Sequence, residues 1–188
     1  MRTHRQLVVY NSILQTLHET GCPFCRFLKD FQASRLQNHS ESELRTLCNF
    51  HAWGLAAVQD APAAAKAFIK LVNAAPAASN GGSECDICKE VEAEEEMRIR
   101  EFVSCIERTE VMYWLRSDAV LCLPHAIKLR KKVPPVVAPR IDGIMIRCRQ
   151  QLTEQLQQLR DEPGPDRTGW GALGRAAEFL VAQRGLRA

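Results

Sequence analysis

One metal-ligand signature occurs twice in this chain, and nothing else in it constrains the fold as tightly. Cys22-x2-Cys25 is followed by Cys48-x2-His51, and Cys85-x2-Cys88 is followed by Cys122-x2-His125. Each copy supplies three thiols and one imidazole, the donor set of a closed, tetrahedral structural zinc site. The flanks repeat with the ligands: GCPFC and ECDIC open the copies, while LCNFHA and LCLPHA close them. The economical pairing puts each copy on its own ion, with Cys22, Cys25, Cys48 and His51 on one and Cys85, Cys88, Cys122 and His125 on the other. An exchange, in which one copy's Cys pair joins the other copy's Cys/His pair, uses the same spacings less economically.

The spacers, residues 26–47 and 89–121, are longer than those of ordinary zinc ribbons, so each must contain at least one helix. Both kinds of pair fall where a loop enters a helix, and the partial positive charge of a helix N-terminus favours thiolates. A zinc ion with three thiolates and a neutral imidazole carries a net charge of −1, which suits that position. Zn²⁺ at two sites is therefore the expected cofactor. A [4Fe-4S] cluster held by three Cys and one His is the alternative, since thiolates also suit iron.

No alternating strand pattern is present. Apolar residues recur at helical spacing around Leu7, Ile13 and Leu17, along Phe24, Phe27, Leu28 and Phe31, and from Ile141 to Leu159. Pro23 fits the first turn of a helix. Ser40 with Glu43 reads as a capping box for a short helix ending near Leu47. Asp60-Ala-Pro62 starts an alanine-rich helix, and SNGGS is the clearest linker. The expected fold is all-α: two related helical halves, each clipped by a Cys3His metal site, plus a C-terminal helical extension. The expected divisions are a first module over 1–78, a linker over 79–84, a second module over 85–133 and the extension over 134–188.

Among the remaining residues, Cys105 and Cys148 lie in helical context and read as buried, inert thiols, because free Cys packs like a small hydrophobe; a redox pair or extra metal ligands are the alternatives. Trp53 follows His51 and either shields the first site or packs in the core. Asp118 either accepts the free N–H of a ligating His or caps a helix. His4, His18 and His39 read as surface residues. No H-E-x-x-H helix, phosphate loop, dinucleotide glycine fingerprint or G-x-S-x-G elbow occurs. Four-ligand sites also leave no open position for catalysis.

The tandem CPxC…LCxxHA pattern resembles an uncharacterised family of bacterial helical proteins of unknown function. The matching residues are Cys22, Pro23, Cys25, Cys48, His51, Ala52, Cys85, Cys88, Cys122, His125 and Ala126, and the closing segment is GALGRAAEFLVAQRG, residues 171–185. The second opening motif is CDIC rather than CPxC, and the first half has a shortened, alanine-rich spacer. The resemblance implies helical modules and metal sites but carries over no activity.

The net charge of +3 is too small to indicate nucleic acid by itself. Charge is unevenly placed, however, with EVEAEEE at 90–96 and KLRKK at 128–132. These runs read either as solvated helix faces or as a basic edge that meets an acidic partner. Protein ranks above nucleic acid as a partner, because the basic residues lack interleaved aromatics that stack bases. No apolar stretch is long enough to cross a membrane and no signal peptide is read, so a cytoplasmic protein without a membrane role is expected. The expected function is a non-enzymatic, zinc-stabilised helical scaffold. The alternatives are an iron–sulfur redox or cluster-carrier protein and a zinc-linked thiol redox sensor.

Overall fold

A computed structural model describes residues 4–17, 20–38, 46–74, 85–117, 119–161 and 170–182. Among these residues every regular element is helical: α1 His4–Leu17, α2 Pro23–Asn38, α3 Asn49–Val58, α4 Ala61–Ala74, α5 Asp86–Ser104, α6 Thr109–Arg116, α7 Leu123–Arg130, α8 Ala138–Asp161 and α9 Trp170–Val181. The all-α fold follows from the helical apolar spacing and from breakers at the helix ends. Gly21 turns the chain into α2 with φ +92°, a left-handed conformation that glycine adopts without strain. Pro23 then takes the first helical position, where a missing N–H costs nothing. Asp60 caps α4, its carboxylate accepting the Ala63 N–H at 2.8 Å.

The chain forms two compact units. Unit 1 comprises Met1–Phe27 and Met97–Ala188; unit 2 comprises Leu28–Glu96. This division differs from the one expected along the chain (1–78, 79–84, 85–133, 134–188), because α2 and α5 each contribute residues to both units. The proposed linker and the Ser40/Glu43 capping box lie outside the described residues. Residues 46–48 are not helical.

The core of unit 1 gathers Ile13 and Leu17 of α1, Phe24 of α2, Ile99 and Phe102 of α5, Val111 and Leu115 of α6, Leu129 of α7, and Ile141 and Ile144 of α8. Phe102 packs edge-on against both Phe24 and Trp114, with ring centroids 5.4 and 6.0 Å away. Cys105 and Cys148 are buried free thiols in this core, as expected. Unit 2 has a smaller core of Leu36, Leu55, Ala67, Cys85 and Ile87. There Arg35 of α2 grips Glu90 of α5 through two bonds of 2.6 and 2.8 Å. The contacts between α2 and α5 run in opposite chain order. Phe24 and Phe27, early in α2, meet Phe102 and Arg98, late in α5. Arg35, late in α2, meets Glu90, early in α5.

Candidate metal centres

The two clusters are built from four copies of one local device. Cys22, Cys48, Cys85 and Cys122 each immediately precede a helix, and Cys25, His51, Cys88 and His125 follow three residues later in its first turn. Cys48 and Cys122 have closely matching extended backbones, φ −73°, ψ 165° and φ −74°, ψ 156°. Neither side chain caps its helix, as Ser or Asp would at that position. The sulfur is left for another use. In all four copies the preceding Cys carbonyl accepts the first bond of its helix: from Arg26 (3.2 Å), Ala52 (2.9 Å), Lys89 (3.1 Å) and Ala126 (2.9 Å).

All eight expected ligands are gathered into two clusters of four, but by exchange between the copies. Cys22, Cys25, Cys122 and His125 form site 1, in unit 1; Cys48, His51, Cys85 and Cys88 form site 2, in unit 2. The economical pairing within each copy is thereby corrected. The contacts within each unit bring different motifs together. Because α5 meets α2 in opposite order, the start of α5 lies beside the end of α2. Cys85 and Cys88 are therefore at hand when the chain arrives at Cys48. At the other ends, the chain leaving α5 comes back through α6 to place Cys122 beside the start of α2. A short backbone pairing supports site 2: Asp86 N–H donates to the Thr46 carbonyl at 3.1 Å, and the Asp86 carboxylate accepts the Thr46 N–H at 2.9 Å.

Within each cluster the four donor atoms lie within 4.8 Å of one another. A tetrahedron of Zn–S bonds of about 2.3 Å has sulfur-to-sulfur edges of about 3.8 Å. The Cys48–Cys88 and Cys25–Cys122 sulfurs stand 3.8 and 3.5 Å apart. Both imidazoles turn Nδ1 to the sulfurs: His125 Nδ1 lies 2.9 Å from Cys122, 3.3 Å from Cys25 and 3.5 Å from Cys22. His51 Nδ1 lies 3.3 Å from Cys48 and Cys85 and 3.4 Å from Cys88. These residues fit one tetrahedral cation per site.

The buried Gln32 side chain of α2 is placed to set the ring in site 2, its amide nitrogen lying 2.6 Å from His51 Nε2. The amide's nitrogen and oxygen exchange places on a flip of the group; with the oxygen turned to the ring, it would accept the Nε2–H and leave the Nδ1 lone pair toward the sulfurs. Gln32 carried no readable sequence signal, because its role depends on α3 lying against α2. Phe50, rather than Trp53, packs on the His51 ring, edge-on at 5.2 Å. Trp53 is 73% exposed, so it is neither a shield nor a core residue. Phe24 packs on the His125 ring at 5.4 Å. Asp118, His18 and His39 lie outside the described residues.

The thiols compete for charge. Burial raises the Cys22 pKa, but hydrogen bonds from Cys122, Cys25 and His125 outweigh it and hold the thiol well below its ordinary value. Cys122 is pushed up by its bonds to Cys22 and Cys25 and by burial. In site 2 burial likewise opposes ionisation of Cys48, yet the His51 backbone N–H and the Cys88 and Cys85 thiols lower it. Burial and the neighbouring Cys85 and Cys48 push Cys88 up to about 12. Such a cluster concentrates negative charge on one sulfur at its neighbours' cost, and a divalent cation relieves that conflict.

The sites differ in access. At site 1 the ligands are 2–9% exposed, whereas Cys48 and Cys88 of site 2 are only half-buried. Compared with protein-family models, curated proteins and solved structures, the chain matches none.

Proposed function

We propose that this is a non-enzymatic helical scaffold whose two units are each closed by a structural zinc ion, and that it acts by docking a protein partner. The observation that carries this reading is the assembly of three thiols and one imidazole, four donors to a cluster, within 4.8 Å at both sites. That spacing favours a single ion over a [4Fe-4S] cluster, in which four irons and four sulfides separate the ligands. Four protein ligands fill a tetrahedral zinc and leave no position for a substrate. The residues that would hold the ions are the eight named above, and the chemistry supplied is cross-linking of helix N-termini.

Docking is supported by apolar side chains that unit 2 leaves outside: Phe50 and Trp53 on α3, and Ile69 and Val72 on α4, at 43, 73, 62 and 70% exposure. Among the described residues no helix is long and apolar enough to cross a membrane. We place the protein in the reducing cytoplasm, where thiolate ligands persist. Nucleic acid ranks second as a partner. The half-exposed Cys48 and Cys88 favour one further reading, a thiol sensor in which a hydroperoxide oxidises these two sulfurs to a disulfide and zinc is lost.

The test is elemental analysis and an absorbance spectrum of untagged protein purified without oxygen. Two zinc ions per chain and no visible absorption are expected. Iron with sulfide and a broad band in the visible would overturn the zinc reading in favour of electron transfer or cluster carriage.

A further inference from the structure

The four residues of site 1 are buried, and a cavity reaches three of them. A cavity of about 300 Å³ in unit 1 has Cys22, Cys25 and Cys122 on its wall. His125 is not on that wall; its ring lies against Phe24 instead. Cys148 of α8 faces the same cavity and belongs to neither cluster. Glu178 of α9 also lines it, is exposed, and has no hydrogen-bond or ion-pair partner among the described residues. Arg175, the cation on the same wall, is turned to the Gln155 side-chain oxygen at 3.0 and 3.3 Å.

We propose that this cavity is the portal through which zinc enters and leaves site 1, and that Cys148 is a transient zinc ligand within it. The inference rests on the zinc reading above. A buried metal site requires an access path, and a soft thiolate on its wall lowers the cost of stripping water from the ion. Glu178 offers a carboxylate oxygen for the ion on the same wall, beside the Arg175 cation. Cys22, Cys25, Cys122 and His125 would hold the ion once loaded, and Cys148, on the wall of the same cavity, would lend a further thiolate during entry and release. Each thiol that bound the ion would release one proton to water and take it back on leaving. Site 2 needs no such relay, because Cys48 and Cys88 themselves meet solvent.

The test uses the full chain with both zincs bound and an excess of a colorimetric zinc chelator. Each release phase is assigned by which cysteines become open to iodoacetamide, read by peptide mass spectrometry. Cys148→Ala is expected to slow the site 1 phase about tenfold, equivalent to about 1.4 kcal/mol on its barrier, and to slow reloading as well. The site 2 phase should be unchanged. Simple loss of packing at Cys148 would speed release, the opposite sign. Leu152→Trp, which narrows the cavity and keeps Cys148, should also slow site 1, while Cys105→Ala should not. A site 1 phase unchanged or faster in Cys148→Ala, from protein that carries zinc, overturns this proposal alone. Protein carrying iron and sulfide overturns both this proposal and the zinc reading.

Discussion

Two sites made of the same motif differ in what surrounds them. Site 1 lies against the larger core of unit 1, with Phe24 on its imidazole and all four ligands buried. Site 2 lies in unit 2, whose core is smaller, with two half-exposed sulfurs and a glutamine orienting its imidazole. The local geometry is the same in both: a Cys before each helix and a second ligand in the first turn. The contrast teaches that motif spacing sets the donor set, while packing decides which motifs meet and how deeply each cluster is buried.

The largest expected effect separates the sites by what their loss costs. Cys25→Ser removes a buried ligand from the centre of unit 1. It should destabilise the protein by several kcal/mol, because structural zinc binding is folding free energy. Cys88→Ser, at the half-exposed site, should cost less and leave the helices of unit 1 intact. Chemical denaturation followed by circular dichroism, with zinc content measured alongside, checks this order; equal costs would remove the distinction between the sites.

A smaller effect probes the asymmetry around the imidazoles. Gln32→Ala should weaken zinc at site 2 about tenfold, the lower end for loss of a group that orients a metal-bound histidine. Site 1 should be unaffected. Competition with a chelator of known affinity reads both sites, and an unchanged site 2 would show that the amide does not hold the ring. Smallest of all, Trp53→Ser should change stability by less than about 0.5 kcal/mol, as expected for an exposed side chain away from any cap or cluster. A large loss would mean that Trp53 guards site 2 after all.

Much of this arrangement could be read from the residues. The C-x2-C and C-x2-H pairs named all eight residues that the two clusters gather, because a spacing of three within a first helical turn puts two side chains on one side. Pro23, Asp60 and the helical apolar spacing located helix starts. The pairing of the motifs was not legible in the same way. It depends on α2 and α5 meeting in opposite chain order, which Phe24–Phe102 and Arg35–Glu90 express and no local motif encodes. Gln32 is a further case. An isolated glutamine on a helix carries no sign of the ring it will meet. Trp53 marks the limit of reading by proximity, since it lies two residues from a ligand and points to solvent.

The exchange between motifs is the centre of this account, and limited zinc removal from the unaltered protein tests it most directly. One equivalent of zinc is withdrawn with a limiting chelator, and the newly reactive cysteines are identified by alkylation and peptide mass spectrometry. Cys48, Cys85 and Cys88 should become reactive together while Cys22, Cys25 and Cys122 stay protected. Joint reactivity of Cys85, Cys88 and Cys122, or of Cys22, Cys25 and Cys48, would contradict the exchange and restore one ion to each copy of the motif.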